Sequence, residues 1–279
     1  MSSWCRALIF ALLASNAWAD KGDYLVGAGI EADNADGVAA TLFGQAAVAD
    51  NTWLSAAVAR NTVDLLRGQQ LETLFGEIGV DHYFDPVGLR VSHAYWGDDD
   101  VLDSRDWRVS LYWRSDKVTF AANYEYRDFE FDIPSTALFP GRTVNFDADG
   151  IGGSARFDLG KSADISLSGM SYDYSVNLSI NTDRGIGELV SVSRLSLINS
   201  LVDYRASLSL GLDDDERRWE LDIGTSEGIV DNGRTTSVTL RFLTPLGNSS
   251  DVEFGLGADD SELYGNATFL SVFVYFYGS

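Results

Sequence analysis

The sequence is poor in the residues that most enzymes and most exported scaffolds rely on. Its 279 residues hold one cysteine, two histidines and four prolines. A single thiol gives no disulfide framework. Basic residues are scarce too, 20 against 42 acidic ones, for a net charge of −22. That balance disfavours a phosphate-binding surface and argues against a nucleic-acid partner. Nowhere do 18 apolar residues follow one another, so no transmembrane helix is expected. Hydrophobic residues still make up 45% of the chain, which is enough for a core and speaks against wholesale disorder. What is abundant is glycine (27) and aromatic residues (15 Phe, 12 Tyr, 7 Trp). The chain is acidic, glycine- and aromatic-rich and biased towards β structure.

Residues 1–19 carry the layout of a secretory signal. Arg6 supplies a basic n-region, Ala7 to Ala14 form an apolar h-region too short to span a bilayer, and Ala17-Trp18-Ala19 is a small–x–small cleavage site. Cys5 lies before the h-region, where a lipoprotein cysteine would lie after it. Cleavage before Asp20 removes Arg6 and Cys5, leaving 19 basic against 42 acidic residues, a charge of −23. The remaining chain, residues 20–279, is expected to form one domain held by packing or by a closed sheet.

From Asp20 onward the dominant period is two. Trp107, Val109, Leu111 and Trp113 alternate with Arg108, Ser110, Tyr112 and Arg114; Trp219, Leu221 and Ile223 alternate with Arg218, Glu220 and Asp222. One apolar and one polar face is the signature of strands with unlike surroundings on their two sides. Fourteen such runs are expected: 24–32, 37–48, 52–60, 70–83, 87–97, 105–114, 117–131, 145–158, 162–174, 201–211, 217–226, 235–243, 251–258 and 265–277. Short turns such as Asp50-Asn51, Asp85-Pro86 and Ser115-Asp116 alternate with longer connections, as in an up-and-down meander whose two ends face different surroundings. Residues 175–200 are the longest connection. Ile186, Leu189, Val192, Leu195 and Ile198 have helical spacing, yet Val190-Ser191-Val192 also reads as strand. This segment is either an outer loop that folds into or over the lumen, or two further strands; the strand count lies between twelve and sixteen.

Period two alone fits a soluble sandwich as well as a barrel. Three features favour the membrane barrel. Strands of about ten residues suit a tilted crossing of the bilayer. Closure removes the edges that fourteen strands in an open sheet would expose. Aromatic residues also gather near the short turns, at Tyr24, Trp53, Phe84, Trp113, Phe157, Trp219, Phe242 and Phe276, as an interfacial girdle would.

Together with the aromatic-rich last run, Phe269-Leu270-Ser271-Val272-Phe273-Val274-Tyr275-Phe276-Tyr277, these features resemble a Gram-negative outer-membrane β-barrel protein of porin-like type. The resemblance implies an all-β, transmembrane, antiparallel up-and-down barrel in the bacterial outer membrane, with both termini periplasmic. It also implies contact with outer-membrane lipid and recognition of the last strand by the barrel-assembly machinery, although Gly278-Ser279 follows the terminal aromatic residue.

Three motifs that suggest chemistry lack the context they need. Gly224-Thr225-Ser226-Glu227-Gly228 matches a nucleophile elbow but is followed by a loop rather than a helix. Gly150-Ile151-Gly152-Gly153-Ser154-Ala155 imitates a dinucleotide fingerprint but continues as strand. Gly160-Lys161-Ser162 lacks the upstream glycine of a phosphate loop. His82 sits at the short-turn end of its strand, and His93 shares parity with Leu89, Val91 and Tyr95, hence faces lipid. Asp98-Asp99-Asp100 with Asp103 lacks the glycine and distal glutamate of an EF-hand loop. No catalytic, cofactor or metal site is expected.

The polar face is more informative. Parity turns Arg90, Arg108, Arg114, Arg127, Arg156, Arg205, Arg218 and Arg241 inward, with Glu31, Glu77, Asp81, Glu125, Asp164, Asp203, Glu220, Asp222 and Glu253. Arginines concentrate on strands five to eight and acids on nine to thirteen, so two arcs of opposite charge are expected to face each other across the lumen. Of these residues, Arg90, Arg108, Arg114, Arg127, Arg156, Asp164, Asp203, Asp222, Arg241 and Glu253 are expected to line a pore, with Asp98, Asp99, Asp100, Asp103, Asp259 and Asp260 at its outer mouth. The expected function is passive passage of small hydrophilic solutes, with mild cation preference set by the mouth. The alternatives are a barrel enzyme acting on lipid or peptide at the outer rim, and a surface-recognition or structural barrel.

Overall fold

The computed structural model describes residues 22–34, 37–64, 70–98, 102–133, 141–160, 162–175, 201–214, 216–229, 232–262 and 265–278. The expected leader and residues 176–200 lie outside them. Every regular element among the described residues is a strand. In chain order they are β1 (Tyr24–Asp33), β2 (Val38–Ala49), β3 (Thr52–Asp64), β4 (Gln70–Tyr83), β5 (Val87–Asp98), β6 (Leu102–Arg114), β7 (Val118–Ile133), β8 (Arg142–Asp158), β9 (Ala163–Tyr174), β10 (Val202–Asp214), β11 (Arg217–Gly228), β12 (Arg234–Gly247), β13 (Ser250–Ser261) and β14 (Gly265–Gly278).

Each strand pairs with its sequence neighbours, and β14 pairs with β1 to close a fourteen-stranded antiparallel barrel. Closure satisfies the backbone of both terminal strands from Tyr24↔Gly278 to Asp33↔Phe269 and leaves no edge to pair with another chain. The expected turns lie between the expected strands. In the two-residue turn Asp50-Asn51, Asn51 takes a φ of 58°, a left-handed conformation that asparagine tolerates.

The two faces of the sheet separate as alternation requires. On β6, Trp107, Leu111 and Trp113 are exposed on the outside while Ser104, Asp106 and Tyr112 are buried inside. The same holds for Ile30, Leu42, Val58, Ile78, Ile151 and Leu256 outside, against Glu31, Thr41, Ala57, Ser92, Glu125 and Glu253 within. Such an exterior suits a hydrocarbon surround, and such an interior suits water and ions. The end away from the short turns also holds an internal apolar cluster of Leu102, Phe129, Phe146, Ala148 and Leu201, flanked by Trp96 and Tyr174.

The strands run further at this end than expected. β3 continues to Asp64, β6 begins at Leu102 and β13 ends at Ser261, so strand takes residues 98 and 102–104 of one expected connection and 259–261 of another.

Candidate functional site: the charged interior wall

Glu125 on β7 is the centre of the largest interior network. Its Oε1 accepts from Arg108 Nε at 3.0 Å, and its Oε2 accepts from Tyr172 Oη at 2.7 Å and Arg205 Nη2 at 3.0 Å. Arg108 also donates to Glu77 Oε2 at 2.8 Å and to Asp106 Oδ2 at 3.0 Å. Asp106 accepts further bonds from Ser104 Oγ at 2.5 Å and Arg127 Nε at 3.3 Å. Charge-assisted bonds of this density offset the desolvation of carboxylates that have almost no contact with water.

The reach of this network depends on what stands between the partners. Arg108, Glu125, Gly150 and Tyr172 occupy one row across β6, β7, β8 and β9. Tyr172 crosses β8 over Gly150, where a Cβ would stand 2.6 Å from the tyrosine ring. Tyr112 on β6 likewise crosses Gly88 on β5 to reach Asp81 on β4 at 2.7 Å. Arg90 binds the same carboxylate through Nε at 2.9 Å.

A second network occupies β8 to β12. Arg218 reaches across Gly211 to Asp164 at 2.7 Å, and Arg156 lies 3.3 Å from the same Asp164 oxygen. Arg241 donates to Glu220 at 2.9 Å and to Asp222, and Asp222 also accepts from Ser209. Glu253 accepts from Tyr275 at 3.2 Å. Arg114 sets its guanidinium 5.4 and 5.6 Å from the ring centres of Tyr83 and Tyr112, within cation–π range.

The two facing arcs of charge expected from strand counting are not what the wall holds. Arg90, Arg108, Arg127, Arg156, Arg205, Arg218 and Arg241 each lie within 4 Å of a carboxylate on their own side of the barrel. Register places acid and base side by side, and a half-buried guanidinium takes the nearest carboxylate because separated charges are costly away from water. Asp203 falls where the pairing of β10 with β11 slips between Val202 and Tyr204. Asp106 and Tyr172 are absent from the lumenal set read from the sequence, and Tyr112 appears there only as a member of the polar face. Asp106 shares parity with Arg108 and is legible from it; the tyrosines carry no charge and act through phenol hydroxyls that a reading by charge does not pick out.

Beside the first network lies a cavity of about 180 Å³ on the β4–β10 side. Its lining includes Glu77, Arg90, Arg108, Asn123, Glu125, Arg156 and Arg205, with Ser92, Ser110, Thr119, Ser154, Ser166 and Ser168 between them. Ser168 is exposed although it stands on the inner face, where its hydroxyl bonds that of Ser207 at 2.6 Å.

The expected ring of acids at the outer mouth is divided by the longer strands. Asp98 and Asp259 keep inner-face parity. Asp103 alternates with the buried Leu102 and Ser104 and therefore faces outward, accepting from Tyr95 Oη at 2.7 Å. Asp260 is exposed on the outer face. Asp99 and Asp100 lie outside the described residues.

No family model and no curated protein matches the chain. Among solved structures it is similar to the CymD monoaromatic hydrocarbon channel, at 8% identity and a TM-score of 0.54, over 94% of this chain and 89% of that one. It is also similar to a loop-deletion mutant of OmpT, an outer membrane protein of Vibrio cholerae, at 11% identity and a TM-score of 0.50, over 93% and 100% of the two chains. A KdgM porin aligns at 6% identity and a TM-score of 0.45, over 90% and 98%. The fold is that of an outer-membrane β-barrel.

In an outer-membrane barrel the short turns mark the periplasmic end, and the aromatic residues there form the expected girdle. Trp219 packs on Phe242 with ring centres 4.4 Å apart, Trp113 on Phe120 at 6.2 Å, and Phe120 on Phe157 at 5.9 Å. Trp53 departs from it, pairing in the inner-face row with Asp81. Both histidines stand on the outer-face parity of this barrel. His82 Nδ1 lies 2.7 Å from Thr52 Oγ1 near the periplasmic end, and the His93 ring packs 4.6 Å from Trp107. Gly150–Ala155 and Gly224–Gly228 lie within β8 and β11, so neither opens the helix its motif requires.

Proposed function

We propose that the protein is a passive channel through which small hydrophilic solutes cross the outer membrane, with no cofactor and no chemistry of its own. The observation that carries this reading is the cavity lined by arginines, glutamates and serines inside a fourteen-stranded barrel, a size at which a barrel encloses more than its own side chains. The interior charges are held by neighbours on the wall, which makes that wall a fixed polar surface. In this reading Arg90, Arg108, Arg114, Arg127, Arg156, Asp164, Asp203, Asp222, Arg241 and Glu253 belong to the pore lining. The orientation of His82 and His93 supports a barrel without hydrolytic machinery, since a lumenal or rim nucleophile finds no imidazole base in either. Residues 1–19 direct export and are removed, and β14 is the strand we assign to recognition by the barrel-assembly machinery. Purified protein added to a planar lipid bilayer is expected to give discrete conductance steps, and proteoliposomes to swell in small sugars. A barrel that inserts but passes neither ions nor sugars overturns the reading.

A further inference from the structure

With Asp106 included, the inner wall carries ten named acids against eight arginines, but the two signs are not presented to the lumen alike. Around the cavity the arginine side chain is the more exposed partner in its pairs with Glu77, Asp81, Asp106, Glu125 and Asp164, whereas Asp158 beside Arg156, Asp213 beside Arg218 and Glu220 beside Arg241 are more exposed than their arginines. Arg108 keeps 26% of its side-chain surface exposed, against 13% for Glu77, 1% for Asp106 and 3% for Glu125. Arg205 keeps 21% over the same Glu125, and Arg156 16% over an Asp164 at 8%. The cavity lining itself counts four arginines against two glutamates, in a chain whose net charge is −22.

From this layering we infer that the lumen binds and passes small organic carboxylates, preferring anions to cations in spite of the acidic chain. The inference rests on the channel reading and deepens it. A guanidinium offers a planar fork matched to a carboxylate, and the hydroxyls of Ser110, Ser154 and Ser168 alongside suit a solute that also carries hydroxyl groups. The acids paired with the arginines weaken the attraction. That leaves binding strong enough to recruit an anion and weak enough to release it, the condition for conduction rather than trapping. The outer acids oppose this preference less than the sequence suggests, because Asp103 and Asp260 face outward.

Ser168 provides a test that leaves the described ion pairs intact, since it is exposed on the cavity wall and its hydroxyl bonds the hydroxyl of Ser207. In a potassium chloride gradient across a planar bilayer, the reversal potential is expected to carry the sign of anion preference. Potassium gluconate on one side should interrupt the current at concentrations where sorbitol does nothing. Ser168→Asp should weaken the gluconate effect about tenfold and Ser168→Lys strengthen it by a similar factor, the scale of one unit charge acting over a few ångströms of partly hydrated space. Cation preference, equal effects of gluconate and sorbitol, or Ser168→Asp and Ser168→Lys channels that respond alike would each overturn the inference while leaving the channel standing. Absence of any conductance would instead remove the channel reading beneath it.

Discussion

Asp106 and Glu125 are carboxylates with almost no access to water, and arginines converge on each of them. Arg127 serves both, at 3.3 Å from Asp106 and 3.9 Å from Glu125. Replacing it with methionine keeps most of the volume but leaves two buried charges short of a partner. Arg127→Met should therefore cost about 3–5 kcal/mol, read as a lower urea midpoint in detergent. Arg60→Met is the control. Its pair with Glu72 spans 2.5 Å, yet the two side chains are 60% and 49% exposed, so its loss should change stability by no more than about 1 kcal/mol. On the opposite face the sign of the argument reverses. Leu111 is 55% exposed on the outer surface, and Leu111→Arg should cost about 2–4 kcal/mol if it lies at mid-bilayer. Asn123→Arg, on the cavity wall, should carry no such cost. Equal costs at the two positions would mean that the sheet had been read inside out.

At the scale of strands, the sequence was almost fully legible within the bilayer and less so beyond it. All fourteen strands announce themselves because lipid on one side and a polar interior on the other enforce a strict two-residue alternation. Past the apolar band the outer face accepts Asp103, Glu130, Asp132 and Asp260. The hydrophobic signal lapses there while the backbone ladder continues, which is why the sequence pattern stops short of the outer ends of β3, β6, β8 and β13. Parity identified which charges point inward but not which ones meet. Pairs such as Glu125 with Arg205 bridge two intervening strands, and such contacts depend on stagger, side-chain reach and a glycine beneath them. Gly150 and Tyr172 offer a direct check. Gly150→Ala should displace the Tyr172 ring and break its bond to Glu125, and Tyr172→Phe should remove the same bond directly. Each is expected to cost about 1–3 kcal/mol, with the double variant well short of the sum because both remove one interaction. Full additivity would show that the glycine serves some other contact.

For the whole molecule, closure matters more than any single contact. A barrel with no free edge has no place from which to unravel strand by strand. The folded protein should resist SDS at room temperature, migrate differently after boiling, and give a β-dominated circular-dichroism spectrum in detergent. A helix-rich spectrum, or a soluble monomer without detergent, would contradict the architecture.

The pairing of Tyr24 with Gly278 has a consequence for how the cylinder depends on its own chain order. The two ends of the strand set abut on the periplasmic side, so the polypeptide is in effect a ring cut at one turn. Joining the ends by a short linker and cutting instead at Ser115-Asp116, between β6 and β7, would keep the fourteen ladders and change only which pair forms the seam. Such a circular permutant should refold in detergent to the same SDS-resistant species. If it refolds in detergent but fails to insert in cells, the order of the strands serves delivery to the membrane, and the stability of the barrel owes nothing to it.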